Sequence, residues 1–289
     1  MRLTRRDRLV LFAPLAVLLA GWLVGPALLG LLSTFTTYSP FTTSVRFVGL
    51  DNYLAVVRDP QFAAAARNIV LFTVVAVPLE IIVGFAIAYL LRERFRGRAA
   101  LRVLLLVPWL VSPIGSGVIW HFLLGTTNGF VNFVLGWLGF PDVSSPLGDL
   151  RLALPVVVAV EVWRLAPFAA FLFLPGLTAI PQERWDVARI SGASWIHEVF
   201  DVALPSIRPL LITVTMLLTG FALGSFDVIL ILTGGGPGTA TLTPALYSYA
   251  QAFETNVWPA GAASAWLIAG AVLIMGVIYV RLASQSDSK

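Results

Sequence analysis

The sequence has no cysteine, a single lysine and only two histidines in 289 residues. The absence of cysteine excludes disulfides, thiolate metal sites and cysteine nucleophiles. His121 and His197 fall far apart in the predicted topology, so we expect neither a histidine-based metal site nor a cofactor in this chain. The glycine-rich residues 233–241 lack the lysine that a phosphate-binding P-loop requires. If ATP powers this protein, another subunit binds it.

Charged residues are also scarce, at 12% of the chain, whereas soluble domains contain roughly a quarter. Hydrophobic residues make up 58%, and the mean hydropathy is +0.89. A spanning helix needs roughly 20 mostly apolar residues. Six such runs occur, at about 9–32, 67–91, 103–124, 152–177, 205–232 and 260–282. They are continuous rather than alternating, which excludes a porin-type barrel. The sequence predicts an all-α polytopic membrane protein with six transmembrane helices, the first too long for a signal-peptide core and therefore uncleaved.

The arginines are distributed unevenly between the predicted loops. Four precede the first run, five lie in residues 92–102, and two lie in residues 178–204. Arginine-rich loops stay in the cytoplasm, which predicts that both termini and these two loops are cytoplasmic. The net charge of +4 therefore follows from topology and from contact with anionic membrane lipid, and no nucleic acid is needed to explain it. The predicted divisions are a cytoplasmic N-terminus at 1–8, a transmembrane domain at 9–282 and a cytoplasmic tail at 283–289.

The stretch RWDVARISGASWIHEVFDVALPSIRP, residues 184–209, is too polar to span a membrane. Because Gly192 lacks a Cβ and favours a break, the stretch predicts two short helices with a turn at residues 191–193. Apolar anchors with a rim of charges are typical of a helix that docks in a groove of a partner. The alternative is an amphipathic helix on the lipid interface, although its mixture of acids and arginines fits an anionic bilayer poorly. The residues alone leave both interpretations open.

The same stretch resembles the cytoplasmic EAA loop of ABC importer permeases. That motif has Glu-Ala-Ala, then a glycine, then a Leu-Pro pair; here it reads D-V-A at 186–188, Gly192 and V-A-L-P at 202–205. Asp186 replaces the usual glutamate, and Ser191 replaces a usual aspartate. The resemblance implies that the loop, about 178–204, forms a coupling helix that sits in a cleft of a cytoplasmic ATPase. The implied coupling residues are Glu183, Asp186, Ala188 and Gly192.

Three further stretches are similar to carbohydrate-uptake permeases related to the larger membrane subunit of the maltose system. They are FVGLDNYLAVVRDPQF, LRVLLLVPWLVSP and FDVILILTGGGPGTATLTPALYSYAQAF, in the same order along the chain. The resemblance implies a MetI-like ABC importer transmembrane domain in a bacterial or archaeal inner membrane, forming the translocation path for a sugar. The implied partners are a second permease subunit in a heterodimer, a cytoplasmic ATPase dimer that binds ATP and Mg, and an extracytoplasmic substrate-binding protein. This chain is implied to be non-catalytic.

Four ionisable side chains lie inside the apolar runs: Glu80, Glu161, Arg164 and Asp227. Each costs roughly 3 kcal/mol at the bilayer centre without a partner, so each is expected to face other helices, a cavity or the interface. Glu161 and Arg164 share one helical face at a spacing of three residues, which predicts an ion pair. A structural role is expected for Glu80, an interfacial or packing role for His121, and either hydration or substrate contact for Asp227.

Sugars are recognised by aromatic faces for the ring and by polar groups for the hydroxyls. In the resembled family the substrate site lies near mid-membrane, on the helices that flank the EAA loop. The matching positions, together with Asp227, form the implied substrate path. They are Arg164, Leu165, Phe168, Phe221, Ala222 and Ser225.

Two alternatives to a sugar importer stay open from the sequence. The same architecture would serve glycerol phosphate or a glycerophosphodiester, because Arg164 suits a phosphate. A self-sufficient secondary transporter is the alternative of another class, although its usual inverted repeat is not evident in the sequence. A membrane enzyme is disfavoured, since neither a nucleophile–base pair nor a metal-ligand cluster is recognisable.

Overall fold

The computed structural model describes residues 12–14, 17–41, 44–125, 129–137 and 145–286. The β structure within these ranges is a single bridge between Thr36 and Phe47. Helices make up the regular structure otherwise, so the predicted all-α class is confirmed. The predicted N-terminal segment 1–8 and the last three residues of the predicted tail lie outside the described residues.

The helices are named here in chain order, and several of them are short. They are α1 (Phe12–Ser33), α2 (Asp51–Arg58), α3 (Pro60–Arg92), α4 (Arg98–Leu110), α5 (Pro113–Leu124), α6 (Phe130–Trp137), α7 (Ala153–Thr178), α8 (Gln182–Ile190), α9 (Trp195–Ser206), α10 (Arg208–Leu223), α11 (Asp227–Leu232), α12 (Pro244–Tyr249) and α13 (Trp258–Ser286). Parts of α1 and α9 are π-helical, and a further π-helix, Ala250–Glu254, follows α12.

Among the described residues, four helices are long and apolar enough to cross a membrane, namely α1, α3, α7 and most of α13. The number rises to six if each of two bent pairs is one span. The pair α4 and α5 is bent by 92°, and the pair α9 and α10 by 81°. The six predicted apolar runs therefore do not correspond to six straight helices.

Proline and glycine explain where the predicted third and fifth runs break. Pro113 disfavours the helical region for the preceding residue, and Ser112 is extended, with ψ 151°. The Ser112 hydroxyl accepts a hydrogen bond from the Gly115 N–H at 3.1 Å and so caps the start of α5. In the fifth run, α10 ends at Leu223, and residues 224–226 separate it from α11.

The chain divides into two units, residues 1–62 with 247–267 and residues 63–246 with 268–289. In the first unit, the Tyr247 hydroxyl donates a hydrogen bond of 2.7 Å to Asp59. Burial and this hydrogen bond raise the pKa of Tyr247 above its ordinary value. Asn52 donates from Nδ2 to the carbonyl oxygens of Thr34 and Thr36 and thereby attaches α2 to the end of α1.

The second unit contains most of α3 and all of α4 to α11. Its core includes five large side chains with at most 1% exposure: Phe72, Phe173, Leu177, Leu218 and Ile229. Helix α3 approaches α7 very closely at Gly84, where an added Cβ would lie 2.6 Å from the Ala169 Cβ. A larger residue at position 84 would therefore separate the two helices.

Residues 233–243, which we call the glycine-rich loop, are attached to α3 within the second unit. Asn68 of α3 is 2% exposed, and its Nδ2 donates hydrogen bonds to the carbonyl oxygens of Thr239, at 2.7 Å, and Leu242, at 3.0 Å. The hydroxyls of Thr233 and Thr241 lie 2.7 Å apart across the loop. These bonds hold the loop in one conformation against the side of α3.

Candidate functional site

A cavity of about 330 Å³ lies in the second unit where α4, α5, α7, α10 and α11 meet. Five of the seven predicted path residues line it: Arg164, Leu165, Phe221, Ser225 and Asp227. Phe168 borders it through a ring contact of 5.8 Å with Phe221. Ala222 is 3% exposed and is not part of the lining.

The break between α4 and α5 and the break between α10 and α11 both border this cavity. Trp109 and Pro113 line it from the junction of α4 and α5, and Gly224, Ser225 and Phe226 line it from the junction of α10 and α11. Irregular backbone at membrane depth is tolerated where it is buried in protein or lines a cavity. The breaks thus supply exposed backbone and polar side chains at a depth where continuous helices would offer only side chains.

Glu161 and Arg164 of α7 form the ion pair that their spacing predicts. Arg164 Nη2 lies 2.7 Å and Nε 2.8 Å from Glu161 Oε2. The second carboxylate oxygen, Oε1, accepts a hydrogen bond of 3.1 Å from the Ser225 hydroxyl. The Ser225 carbonyl in turn accepts one of 3.2 Å from the Thr243 hydroxyl, at the end of the glycine-rich loop. The break between α10 and α11 is therefore fixed to the charged pair on α7.

Three aromatic rings form a continuous series beside the pair. Trp109 stacks on Phe168 with ring centroids 5.2 Å apart, and Phe168 contacts Phe221. Phe221 is 47% exposed, so its ring is available for contact with a ligand. The sequence did not assign Trp109 to the site, although the motif LRVLLLVPWLVSP contains it; its signal was an aromatic residue four positions before a proline inside an apolar run.

Two other polar groups in the spans do not line the cavity. Glu80 is 1% exposed, and its Oε2 has no hydrogen-bond partner among the described residues. Its carboxyl interacts electrostatically with Glu161 and Arg164. His121 Nδ1 lies 2.9 Å from the Leu232 carbonyl oxygen, so the ring donates a hydrogen bond that joins α5 to α11. This contact agrees with the packing role predicted for His121.

The polar segment, by which we mean residues of about 178–204, folds as the two short helices that its sequence predicts, α8 and α9. Gly192 has φ +75°, a conformation that favours glycine. Its N–H donates to the Arg189 carbonyl, and the Ala193 N–H donates to the Ala188 carbonyl, both at 3.0 Å, which completes a Schellman motif. A Cβ on Gly192 would meet no atom within 4 Å, so the glycine is favoured by its φ and not by crowding within the chain.

The predicted coupling residues lie on an open surface of this segment. Glu183, Asp186 and Gly192 are exposed and Ala188 is half-buried, while Asp186 accepts one hydrogen bond from Gln182 at 3.1 Å. Large apolar side chains are exposed around them. They are Val187, Ile190, Trp195, Ile196 and Phe200, with exposures between 47% and 87%. A segment with this much exposed apolar and acidic surface has the composition of a docking surface.

A group of five residues, which we call the Glu198 cluster, joins this segment to the end of α3: Tyr89, Arg92, Trp185, Arg189 and Glu198. Trp185 and Glu198 are buried, while Arg189 lies at the exposed side of the group. Glu198 Oε2 accepts from the Tyr89 hydroxyl at 2.8 Å and from Arg92 Nη2 at 2.9 Å, while Oε1 accepts from Arg189 Nε at 3.0 Å. The Arg92 guanidinium lies 3.9 Å from the Tyr89 ring centre and 3.6 Å from that of Trp185. The contacts of Tyr89 and Arg92 with Glu198 had no signal in the sequence, because they join positions about a hundred residues apart.

The cluster holds Glu198 in its ionised form. Burial of the carboxyl favours the neutral acid, but the hydrogen bonds from Arg189, Tyr89 and Arg92 outweigh it and lower the pKa of Glu198 to about 2. Bonding to Glu198 likewise raises the pKa of Arg189. At neutral pH every charged group of the cluster therefore has an opposite charge in contact with it.

The chain is similar to several membrane subunits of transport systems. It is 37% identical to the trehalose/maltose transport system permease protein MalF of Thermococcus litoralis, over 82% of this chain and 79% of that one. It is 31% identical to the sulfoquinovosyl glycerol transport system permease protein SmoG of Agrobacterium fabrum, over 97% and 92%. The solved structure of a bacterial alginate ABC transporter, bound to an alginate pentasaccharide-loaded periplasmic protein, contains a chain with the same fold. The TM-score is 0.82 at 20% identity, covering 95% of this chain and 93% of that one.

Residues 80–289 match the family described as the inner membrane component of binding-protein-dependent transport systems. The match includes the cavity, the polar segment and the Glu198 cluster. It confirms the resemblance to ABC importer permeases, and it contradicts the alternative of a self-sufficient secondary transporter, because transport in this family depends on a binding protein. This chain belongs to the family of binding-protein-dependent ABC transporter permeases and is a non-catalytic, multi-pass inner membrane subunit.

Proposed function

We propose that this permease carries a carbohydrate through the cavity formed by α4, α5, α7, α10 and α11. The observation that carries the proposal is the pairing of an aromatic series with a polar group in one cavity. Trp109, Phe168 and Phe221 offer faces for the C–H surface of a sugar ring, and Arg164 and Ser225 offer donors for its hydroxyls. Relatives named for trehalose, maltose and sulfoquinovosyl glycerol support the same class of substrate.

The charges of the cavity favour an uncharged sugar over glycerol phosphate or a glycerophosphodiester. Arg164 is the cation of the lining, and Glu161, its partner at 2.7 Å, lines the same cavity with Asp227. A phosphate is bound by cations that are free to pair with it. Here the phosphate would have to compete with Glu161 for Arg164 and would approach a second carboxylate. The hydroxyl groups of a sugar are not repelled by the carboxylates. They accept hydrogen bonds from Arg164 and donate hydrogen bonds to Glu161 and Asp227.

The polar segment, about 178–204, is proposed to be the coupling loop to a cytoplasmic ATPase dimer that binds ATP and Mg. Glu183, Asp186, Ala188 and Gly192 are its proposed contacts. Exposure of the acids and of the apolar side chains around them supports a protein partner. An anionic lipid surface would repel Glu183 and Asp186, so the interfacial helix is the less favoured alternative.

The rest of the proposed assembly follows from this placement. A second permease subunit pairs with this chain as a heterodimer, and an extracytoplasmic binding protein delivers the carbohydrate. With the coupling loop at the cytoplasmic face, both termini are cytoplasmic and the glycine-rich loop faces the binding protein. Closure of the ATPase dimer on ATP opens the cavity outward, and hydrolysis returns it inward.

The substrate class is tested by calorimetry on the cognate binding protein, with trehalose, maltose, glycerol 3-phosphate and a glycerophosphodiester as ligands. We expect a disaccharide to bind and the two phosphates not to bind. Uptake of the bound ligand is then measured in proteoliposomes with the complete complex, ATP and the binding protein. Binding and ATP-driven uptake of a phosphate ligand alone would contradict the proposed substrate class.

A further inference from the structure

Helix α3 is attached at two positions, one in its first half and one at its last residue, to the glycine-rich loop and to the polar segment. At Arg92 it is joined to the polar segment through the Glu198 cluster. At Asn68 it is joined to the glycine-rich loop through two hydrogen bonds. Asn68 and Arg92 are 24 positions apart in one helix, which corresponds to about 36 Å at roughly 1.5 Å per residue. Both positions lie at the limits of the predicted apolar run 67–91, so we expect the two attachments on opposite sides of the bilayer.

The attachment at Glu198 resists separation of the polar segment from α3. Glu198 is 7% exposed, and both of its carboxylate oxygens are occupied by donors. The Arg92 side chain is 7% exposed and lies between two aromatic rings. Pulling the segment away would leave a buried carboxylate and a buried guanidinium without partners, which is costly. Movement of α8 and α9 therefore carries the end of α3 with it.

The attachment at Asn68 also depends on a buried polar side chain that would lose its hydrogen bonds on separation. The amide is 2% exposed, and its Nδ2 binds two loop carbonyls that would otherwise be buried without that donor. The loop ends at Thr243, whose hydroxyl binds the Ser225 carbonyl, and Ser225 binds Glu161 in the cavity. A shift of α3 is thus passed to the loop and to the polar group of the cavity.

We propose that α3 is the mechanical link between the ATPase side and the binding-protein side of this permease, with Glu198 and Asn68 as the positioning residues of its two attachments. The proposal rests on the proposed coupling function of the polar segment. Neither residue contacts substrate or ATPase in this scheme. Each acts by making α3 move together with the loop to which it is bonded.

Two single-cysteine reporters test the link in the complete complex, in nanodiscs that expose both faces. The chain has no cysteine, so Val187→Cys reports on the coupling surface and Ala240→Cys reports on the glycine-rich loop. Labelling by a hydrophilic maleimide is measured with and without a non-hydrolysable ATP analogue and Mg, and the labelled subunit is separated on a gel. In the otherwise unaltered complex, we expect nucleotide to change the labelling rate at both positions.

Glu198→Gln and Asn68→Leu are each expected to reduce the nucleotide response of Ala240→Cys about fivefold and to leave that of Val187→Cys intact. The matched controls are Glu93→Gln, which removes an exposed carboxylate near the same arginines, and Gln61→Leu, on an exposed face of α3. Both controls should respond within about twofold of the parent. If either principal variant fails to co-purify with its partners, Tyr89→Phe and Asn68→Ser replace them, with the same direction of effect expected.

The possible outcomes distinguish a failure of the proposed α3 link from a failure of the proposed coupling function. No response of Val187→Cys in the parent complex would contradict the proposed coupling loop itself. A response at Val187→Cys with none at Ala240→Cys in the parent, or an undiminished response at Ala240→Cys in Glu198→Gln and Asn68→Leu, would overturn the link while leaving the coupling function standing.

Discussion

The Ser225 hydroxyl donates a hydrogen bond of 3.1 Å to Glu161, and Glu161 is also the ion-pair partner of Arg164. One buried carboxylate thus fixes both the break between α10 and α11 and the cation of the cavity. Because the carboxylate uses one oxygen for each partner, its loss has two separate consequences. The arginine loses its counter-charge, and the break loses its attachment to α7.

Glu161→Gln is expected to destabilise the assembled complex by about 3 kcal/mol, because the Arg164 side chain, which is 14% exposed, loses its carboxylate partner. Thermal unfolding of the detergent-solubilised complex measures this change. The matched control is Glu254→Gln, at an exposed position with no ion pair among the described residues. A Glu161→Gln complex as stable as this control would show that the ion pair contributes nothing.

Phe221→Ala is expected to raise the KM for carbohydrate uptake about fivefold, because the substrate loses one aromatic face worth roughly 1 kcal/mol. Phe171→Ala is the control, since Phe171 lies on α7, is 51% exposed and does not line the cavity. Uptake is measured over a range of concentrations of loaded binding protein. Equal effects of the two substitutions would argue against a role of the Phe221 ring in substrate contact.

Asp186→Lys is expected to reduce uptake and the stimulation of ATP hydrolysis by loaded binding protein, while the subunit still inserts. A charge-assisted contact across an interface contributes about 1.5–3 kcal/mol, and lysine would add repulsion. Its control is Asp149→Asn, an exposed acid outside the coupling segment. Normal uptake and normal stimulation in Asp186→Lys would remove the coupling role of this residue and favour the interfacial helix.

The stabilising effect of Glu198 is expected to depend on pH. Folding lowers its pKa from 4.5 to about 2, so the ionised form is favoured in the folded protein. The contribution to stability is therefore fully present above about pH 4.5 and is lost as the pH falls towards 2. The difference in melting temperature between the parent complex and Glu198→Gln should shrink across this window. A difference that is constant from pH 7 to pH 3 would indicate that packing, rather than charge, explains the effect.

Local rules predicted a large part of this architecture. The apolar runs, the pairing of Glu161 with Arg164 and the turn at Gly192 each follow from a few neighbouring residues, and the structure contains all three. Pro113 is consistent with the break before it, because proline disfavours a helical residue at the preceding position; Pro78, Pro108, Pro167 and Pro175 lie inside helices, so a proline alone does not predict a break. The hydropathy of the run 103–124 does not reveal the break, because the average includes the apolar residues on both sides of it.

Contacts between distant segments were not predictable in the same way. Glu198 belongs to the stretch whose charges were interpreted as a rim, yet it is buried against Tyr89 and Arg92, more than a hundred positions earlier. Ala222 follows Phe221 by one residue and therefore lies about 100° further around α10, which turns it from the cavity into the core. A single sequence fixes helical spacing but not which face of a helix meets which neighbour.

Substrate protection of Phe221→Cys tests most directly the claim that a carbohydrate passes through this cavity. The complete complex is placed in proteoliposomes with ATP and binding protein, and labelling by a small hydrophilic maleimide is followed with and without the carbohydrate that the binding protein binds. We predict that the carbohydrate slows labelling about fivefold, while Phe171→Cys is labelled at the same rate in both conditions. Unchanged labelling of Phe221→Cys in a complex that still transports would contradict the proposed path.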